Sequence, residues 1–186
     1  MNIVFLDMDG VLSTARAFAA QQHKEFPDCQ IDPIAVQYIN LLCEYAEAEV
    51  VISSTWRLGR TRDEFIALLN RNGFTGKLHE DWRTKQLPSS FRGDEVEEWL
   101  HRNPGVNVHV ILDDDSDFYD HQPLVKTNSL DGIMQDDLRK ALEILSAGDI
   151  NLAQVVSREY GKYRTKLEDL EPYEALTRLA NTEDNQ

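Results

Sequence analysis

The sequence predicts an α/β protein: a Rossmann-like three-layer α/β/α sandwich built on a mostly parallel sheet. Three observations predict it. Apolar runs at Asn2–Leu6, Glu49–Ser53 and Val106–Leu112 are continuous, not alternating, as strands buried on both faces are. Segments with helical apolar spacing separate them. The 186 residues suffice for one such domain with a core and are too few for two large ones.

Taken in order, the first run ends in acidic residues and Gly10, so a buried strand enters a loop. Asp32-Pro33 is an N-cap followed by proline at the first helical position. Ile34, Tyr38, Leu41, Leu42 and Tyr45 then recur at helical spacing, predicting a helix over about 33–47. The strand Glu49–Ser53 runs into Ser53-Ser54-Thr55. Thr61 and Glu64 fit a capping box ahead of Phe65, Leu68 and Leu69, and Gly73 is a helix stop. Residues 74–93 read as polar and irregular, with room for one short strand. Asp94 is the expected cap of a helix carrying Val96, Trp99 and Leu100, stopped by Pro104-Gly105. Val106–Leu112 is the third clear strand and leads into Asp113-Asp-Asp-Ser-Asp117. Pro123–Thr127 reads as a short edge strand. Leu138, Ala141, Leu142 and Leu145 mark a last helix, closed by Gly148. The expected division is a domain over 1–147 and an appended acidic helix and tail over 148–186.

Composition narrows the function. Nineteen Lys/Arg stand against 33 Asp/Glu, a net charge of −14. Such a field repels polyanions at long range, yet allows a local basic pocket for one phosphate. No apolar run approaches the roughly 18 residues of a membrane span. No basic segment precedes an apolar one at the start, so no signal peptide is expected and the cytosol is the expected compartment. Cys29 and Cys43 form no CxxC pair, and the five histidines form no HxxxH or HExxH pair, so no zinc site is expected.

In an open parallel sheet, ligands bind at the carboxyl ends of the strands. Three of the strands end in polar clusters: Asp7 with Asp9, Ser53 with Ser54, and Asp113 with Asp114 and Asp117. Folding does not require paired carboxylates at a strand end, and carboxylates so gathered repel unless a cation lies between them. Oxygen-only ligands point to a hard cation, Mg²⁺ in the cytosol. A calcium EF-hand is excluded. Phe118 stands where that loop needs glycine, and Leu124 where it needs glutamate.

These residues resemble a known superfamily, the haloacid-dehalogenase-like (HAD) hydrolases. Asp7-Met-Asp-Gly-Val11 is similar to its first motif, Ile52-Ser53 to its second, and Ile111-Leu-Asp-Asp-Asp-Ser-Asp117 to its fourth. The strings Ile52-Ser-Ser-Thr-Trp-Arg57, Arg92-Gly-Asp-Glu-Val-Glu-Glu-Trp-Leu100 and Val110–Asp117 resemble the HAD domain of Swiss Army Knife RNA repair proteins. The resemblance spans about residues 1–147. It implies a phosphohydrolase with little or no cap. Asp7 would be the nucleophile and Asp9 the general acid/base. Mg²⁺ would be held by Asp7, the Asp9 backbone carbonyl, and Asp113 or Asp114. Ser53 would donate to the phosphoryl oxygens, with Ser54 as the fallback, and Gly10, Ser54 and Arg57 would contact substrate. Asp117 is a ligand, an orienter or a loop cap. The superfamily's usual third-motif Lys is replaced at the best-matching place by Arg92, with Lys85 and Lys126 as alternatives.

The gaps between these motifs are too short for a large cap, so an open site is expected. An open site suits a phosphate on a large substrate, and the resemblance points to a nucleotide or nucleic-acid end. The rival readings are a small-metabolite phosphatase closed by oligomerisation and a non-catalytic module that binds a phosphorylated partner.

Overall fold

The computed structural model describes residues 1–21 and 31–146. The expected acidic helix and tail lie outside the described residues. Five strands form one sheet: β1 (Asn2–Leu6), β2 (Ala48–Ile52), β3 (Lys77–Arg83), β4 (Val108–Asp113) and β5 (Leu124–Lys126), in the order β3-β2-β1-β4-β5. Every pairing is parallel. The described helices are α1 (Ala15–Gln21), α2 (Pro33–Ala46), α3 (Arg62–Arg71), α4 (Arg92–Arg102) and α5 (Gln135–Ser146).

The centre of the sheet is apolar because both of its faces are covered. Ile3 and Phe5 of β1 pack with Val51, Ile111 and the α4 residues Val96 and Trp99, all fully buried. Trp99 meets Phe5 edge-on, with ring centroids 5.2 Å apart. The alternate residues of β1 face the other way. There Asn2 Nδ2 donates to the Ala46 carbonyl at the end of α2 and to that of Leu145 in α5. Helices therefore flank both faces, as a three-layer sandwich requires. None of the described helices is long and apolar enough to cross a membrane.

The sequence-derived caps are present where the local grammar is strong. Asp32 Oδ1 accepts from the Ile34 amide, with Pro33 in the first turn of α2. Thr61 and Glu64 form the reciprocal capping box of α3.

The structure lengthens one expected element, corrects one expected cap and adds one helix not expected from sequence. The irregular stretch 74–93 contains a seven-residue strand, β3, whose pairing with β2 shifts register between Val50 and Ile52. Its polar outer residues disguise it, since an edge strand is only half covered. Asp94 does not cap α4. Phe91 is the cap residue and offers no side-chain bond, and Asp117 Oδ2 takes the Arg92 amide instead, at 3.3 Å. A short helix, α1, follows the first loop. It starts where Thr14 Oγ1 accepts from the Ala17 amide, and its alanine-rich sequence shows no apolar periodicity.

Candidate active site

Register brings the site together. Leu6 of β1 lies opposite Ile52 of β2 and Leu112 of β4. The next residue of each strand is therefore Asp7, Ser53 and Asp113, side by side in one row. The ladder continues through this row: the Asp7 amide donates to Leu112 O and the Ser53 amide to Leu6 O, both at 3.0 Å. All three residues are buried. Chain order reverses direction beside β1, so the row sits at the topological switch point of the sheet.

Arg92, the first residue of α4, reaches into this row. Its Nη1 donates to Asp7 Oδ1 and to Asp113 Oδ2, both at 2.9 Å. One guanidinium thus holds two carboxylates that would otherwise repel. Burial alone would lower the Arg92 pKa, but Asp7 and Asp113 outweigh it and raise the value above normal. Asp113 is pushed up to about 7, by burial first and then by the charge of Asp7. Burial and the same neighbour also raise Asp114. Arg92 therefore does not fully offset the negative charge at this edge.

Oxygens of Asp7, Asp113 and Asp114 lie within 4.8 Å of one another. An all-carboxylate donor set of this size, with one member inclined to keep its proton, fits a hard divalent cation. Gly10 shapes the cradle. It adopts a positive φ of 70°, and a Cβ there would come within 2.2 Å of the Asp114 carboxyl carbon. Ser53 Oγ is buried and has no hydrogen-bond partner among the described residues. A buried hydroxyl left free beside the Asp7 carboxylate is a donor available to a ligand.

Comparison with known proteins decides the assignment. The family model described as the HAD domain in Swiss Army Knife RNA repair proteins matches residues 3–138. The chain belongs to this family. No match is found among the curated proteins or among the solved structures. The HAD-type carboxylate cluster makes the chain a phosphohydrolase, and its matched region runs from β1 into α5.

The remaining sequence-derived residues of this HAD domain are less uniformly placed. Asp9 is exposed at the mouth, and its Oδ2 accepts from Trp56 Nε1 at 2.9 Å. Ser54 caps the short 3-10 turn Thr55–Arg57, its hydroxyl accepting from the Trp56 amide. Arg57 is turned into the interior. Its guanidinium donates to Thr84 O at 2.8 Å, to Ser53 O at 2.5 Å and to Glu95 Oε2 at 2.6 Å. Lys85 pairs with Glu98, and Lys126 donates to Ser116 Oγ; neither is bonded to the carboxylate row. Asp117 caps α4, and its Oδ1 is buried without a partner among the described residues.

Three contributors were not singled out by sequence for these roles. Trp56 holds Asp9, and Glu95 and Thr84 hold Arg57 against the end of β2. Their partners lie 27 to 47 residues away in the chain, beyond any local pattern.

Proposed function

We propose that this HAD domain is a Mg²⁺-dependent phosphomonoesterase that works through an aspartyl-phosphate on Asp7 and acts on a terminal phosphate of a nucleic acid or nucleotide. The observation that carries the reading is Arg92 bridging Asp7 and Asp113 beside the free Ser53 hydroxyl. Asp7 attacks phosphorus, and the leaving oxygen departs with a proton from Asp9. Asp9 then takes a proton from the water that attacks the acyl phosphate; phosphate leaves, the Asp7 carboxylate is restored and Asp9 regains its proton. Arg92 keeps Asp7 in place and, with Ser53 Oγ, donates to the phosphoryl oxygens as charge builds on them. The cation would be held by Asp7, by Asp113 or Asp114 and by the Asp9 carbonyl, and would supply charge compensation for phosphate. Asp117 and Arg57 act as positioning groups in this scheme, the first at the start of α4 and the second under the end of β2.

A nucleic-acid end is the preferred substrate for two reasons. Asp9 is exposed at the mouth, so a phosphate on a large molecule can reach the row. The family's description is that of a HAD domain in RNA repair proteins. The net charge of −14 favours the rival, a free nucleotide or metabolite. The cytosol, where Mg²⁺ is abundant, is the proposed compartment. Hydrolysis of an aryl phosphate by the purified protein, with Mg²⁺ and with chelator, tests the chemistry. Turnover that requires Mg²⁺ supports the reading, and metal-independent turnover contradicts it. A panel of 3′- and 5′-phosphorylated oligonucleotides against free nucleotides then tests the substrate class.

A further inference from the structure

The charge of the chain is unevenly distributed. Residues 53–92 carry eight Lys/Arg against four Asp/Glu, whereas the rest of the chain carries 11 against 29. This basic stretch runs from the end of β2 to the start of α4 and borders the catalytic row. It contains a cavity of about 460 Å³ lined by Arg57, Gly59, Arg83, Thr84 and Lys85, with Leu58 and Gln86 completing the wall and no carboxylate side chain among them.

We propose that this cavity is a subsite for a second phosphate of the substrate, the phosphodiester adjoining the terminal phosphate that is cleaved. The proposal rests on the phosphohydrolase reading and specifies its substrate: a strand end, not an isolated monoester.

Arg83 is the main anchor. Its Nη1 donates to the carbonyls of Arg57 and Arg60 at 3.0 and 3.2 Å, and its guanidinium lies 5.0 Å from the centre of the Trp82 ring. Those contacts fix the side chain without cancelling its charge, and among the described residues no carboxylate pairs with it. A pre-positioned guanidinium with charge to spare suits a phosphate.

Lys85 is exposed and pairs with Glu98, but Arg102 also donates to both oxygens of that carboxylate. Arg57 is paired with Glu95, and it forms the wall rather than the anchor. Its pKa is lowered, by burial first, with Glu95 opposing and Arg92 and Arg83 adding to the effect, so Arg57 feels both neighbouring cations.

Arg57 links the cavity wall to the catalytic row. The wall starts at Arg57, directly after Trp56, which is bonded to Asp9. Arg57 and Arg92 both donate to the Ser53 carbonyl, at 2.5 and 3.5 Å. A strand whose terminal phosphate meets Asp7 and Arg92 therefore finds its next phosphate beside the one flank of the site where positive charge predominates. A cavity of this size holds one sugar-phosphate unit.

The test compares kcat/KM for a terminally phosphorylated dinucleotide with that for an aryl phosphate. The wild-type protein is expected to prefer the dinucleotide, with a preference that shrinks as salt rises. Arg83→Gln and Lys85→Glu are each expected to cut that preference roughly tenfold, mainly through KM. Arg83→Gln also removes two bonds to backbone carbonyls, so Lys85→Glu, on an exposed side chain, guards against a folding artefact. A nucleoside bisphosphate serves as a third substrate. Equal preference for it shows that the subsite reads a second phosphate from either source. An unchanged preference in both variants, or no preference in the wild type, overturns the proposal. Calorimetric binding of the dinucleotide to the Asp7→Asn protein in Mg²⁺ needs no turnover. Weaker binding in the Asp7→Asn, Lys85→Glu double variant supports the subsite even where hydrolysis fails, and equal binding overturns it.

Discussion

At the carboxyl ends of β1 and β4, Asp7, Asp9, Asp113, Asp114, Asp115 and Asp117 crowd into two short loops, whereas the ends of β2 and β3 carry Arg57, Arg83 and Lys85. The two flanks handle burial of charge differently. On the acidic side, two carboxylates share one guanidinium, and Asp113 is raised to about 7. On the basic side, Arg57 is fully engaged by Glu95 and two carbonyls, while Arg83 keeps its charge at the surface. One flank is short of positive charge and could hold a divalent cation. The other holds positive charge in reserve for an anion. Under the proposed function, a phosphate ester with its metal would supply both needs at once.

The largest effect is expected from breaking the basic flank from beneath. Glu95→Gln leaves Arg57 buried without its carboxylate and also weakens the Thr84 hydroxyl contact at 3.2 Å. A loss of about 3–5 kcal/mol in urea unfolding is expected. A loss below about 1 kcal/mol would mean that Arg57 re-solvates and that the flank is not rigid.

The bridge between the flanks comes next. Arg92→Ala should reduce kcat about a hundredfold, and Arg92→Lys should restore part of that, since an ammonium can still pair with Asp7 but lacks the planar fork. Steady-state kinetics on an aryl phosphate read both. Equal loss in the two variants would point to geometry rather than charge as the role of Arg92.

The acidic flank gives a pH signature in the absence of metal. The Asp113 carboxyl has its ordinary value of 3.8 when unfolded and about 7 when folded. Between these limits the folded state binds more protons, so stability conferred by the protonated carboxyl falls as pH rises. Asp113→Asn has no such proton to lose. In chelator it should match the wild type near pH 4 and exceed it by about 3 kcal/mol at pH 8. Saturating Mg²⁺ should close the gap by stabilising the ionised wild type. A gap that does not change with pH would remove the charge strain from the account.

The smallest expected effect is at the mouth. Trp56→Phe deletes the donor to Asp9 while keeping an aromatic ring, and kcat should fall about three- to tenfold with KM nearly constant. A change confined to KM would instead assign Trp56 to substrate contact.

How much of this was legible in sequence depended on range. Asp7, Ser53 and Asp113 could be found because each follows an apolar strand directly, and parallel register then aligns strand ends without further information. The cap at Asp32 and the box at Thr61 and Glu64 are written within four residues. Contacts across distant elements left no such trace. Arg57 carries no mark that its partner is Glu95, 38 residues on, and Trp56 none that it meets Asp9. The place and length of β3 were not legible because Lys77, Glu80 and Arg83 are exposed along an edge strand and leave Leu78 and Trp82 as sparse apolar signals. Asp117, from the loop after β4, accepts from the Arg92 amide at the start of α4, while Asp94 accepts from the Tyr119 hydroxyl instead.

The central claim is that Asp7 becomes phosphorylated during turnover, and the most direct test is to catch it. The protein would be mixed with a phosphate monoester and Mg²⁺, quenched in acid within one turnover, and digested for mass spectrometry. The account predicts one phosphoryl group on the peptide carrying Asp7, lost on brief alkaline treatment as an acyl phosphate is, and absent from Asp7→Asn. Turnover at an undiminished rate in Asp7→Asn, or phosphate release with no labelled peptide under conditions that trap the intermediate, would contradict it.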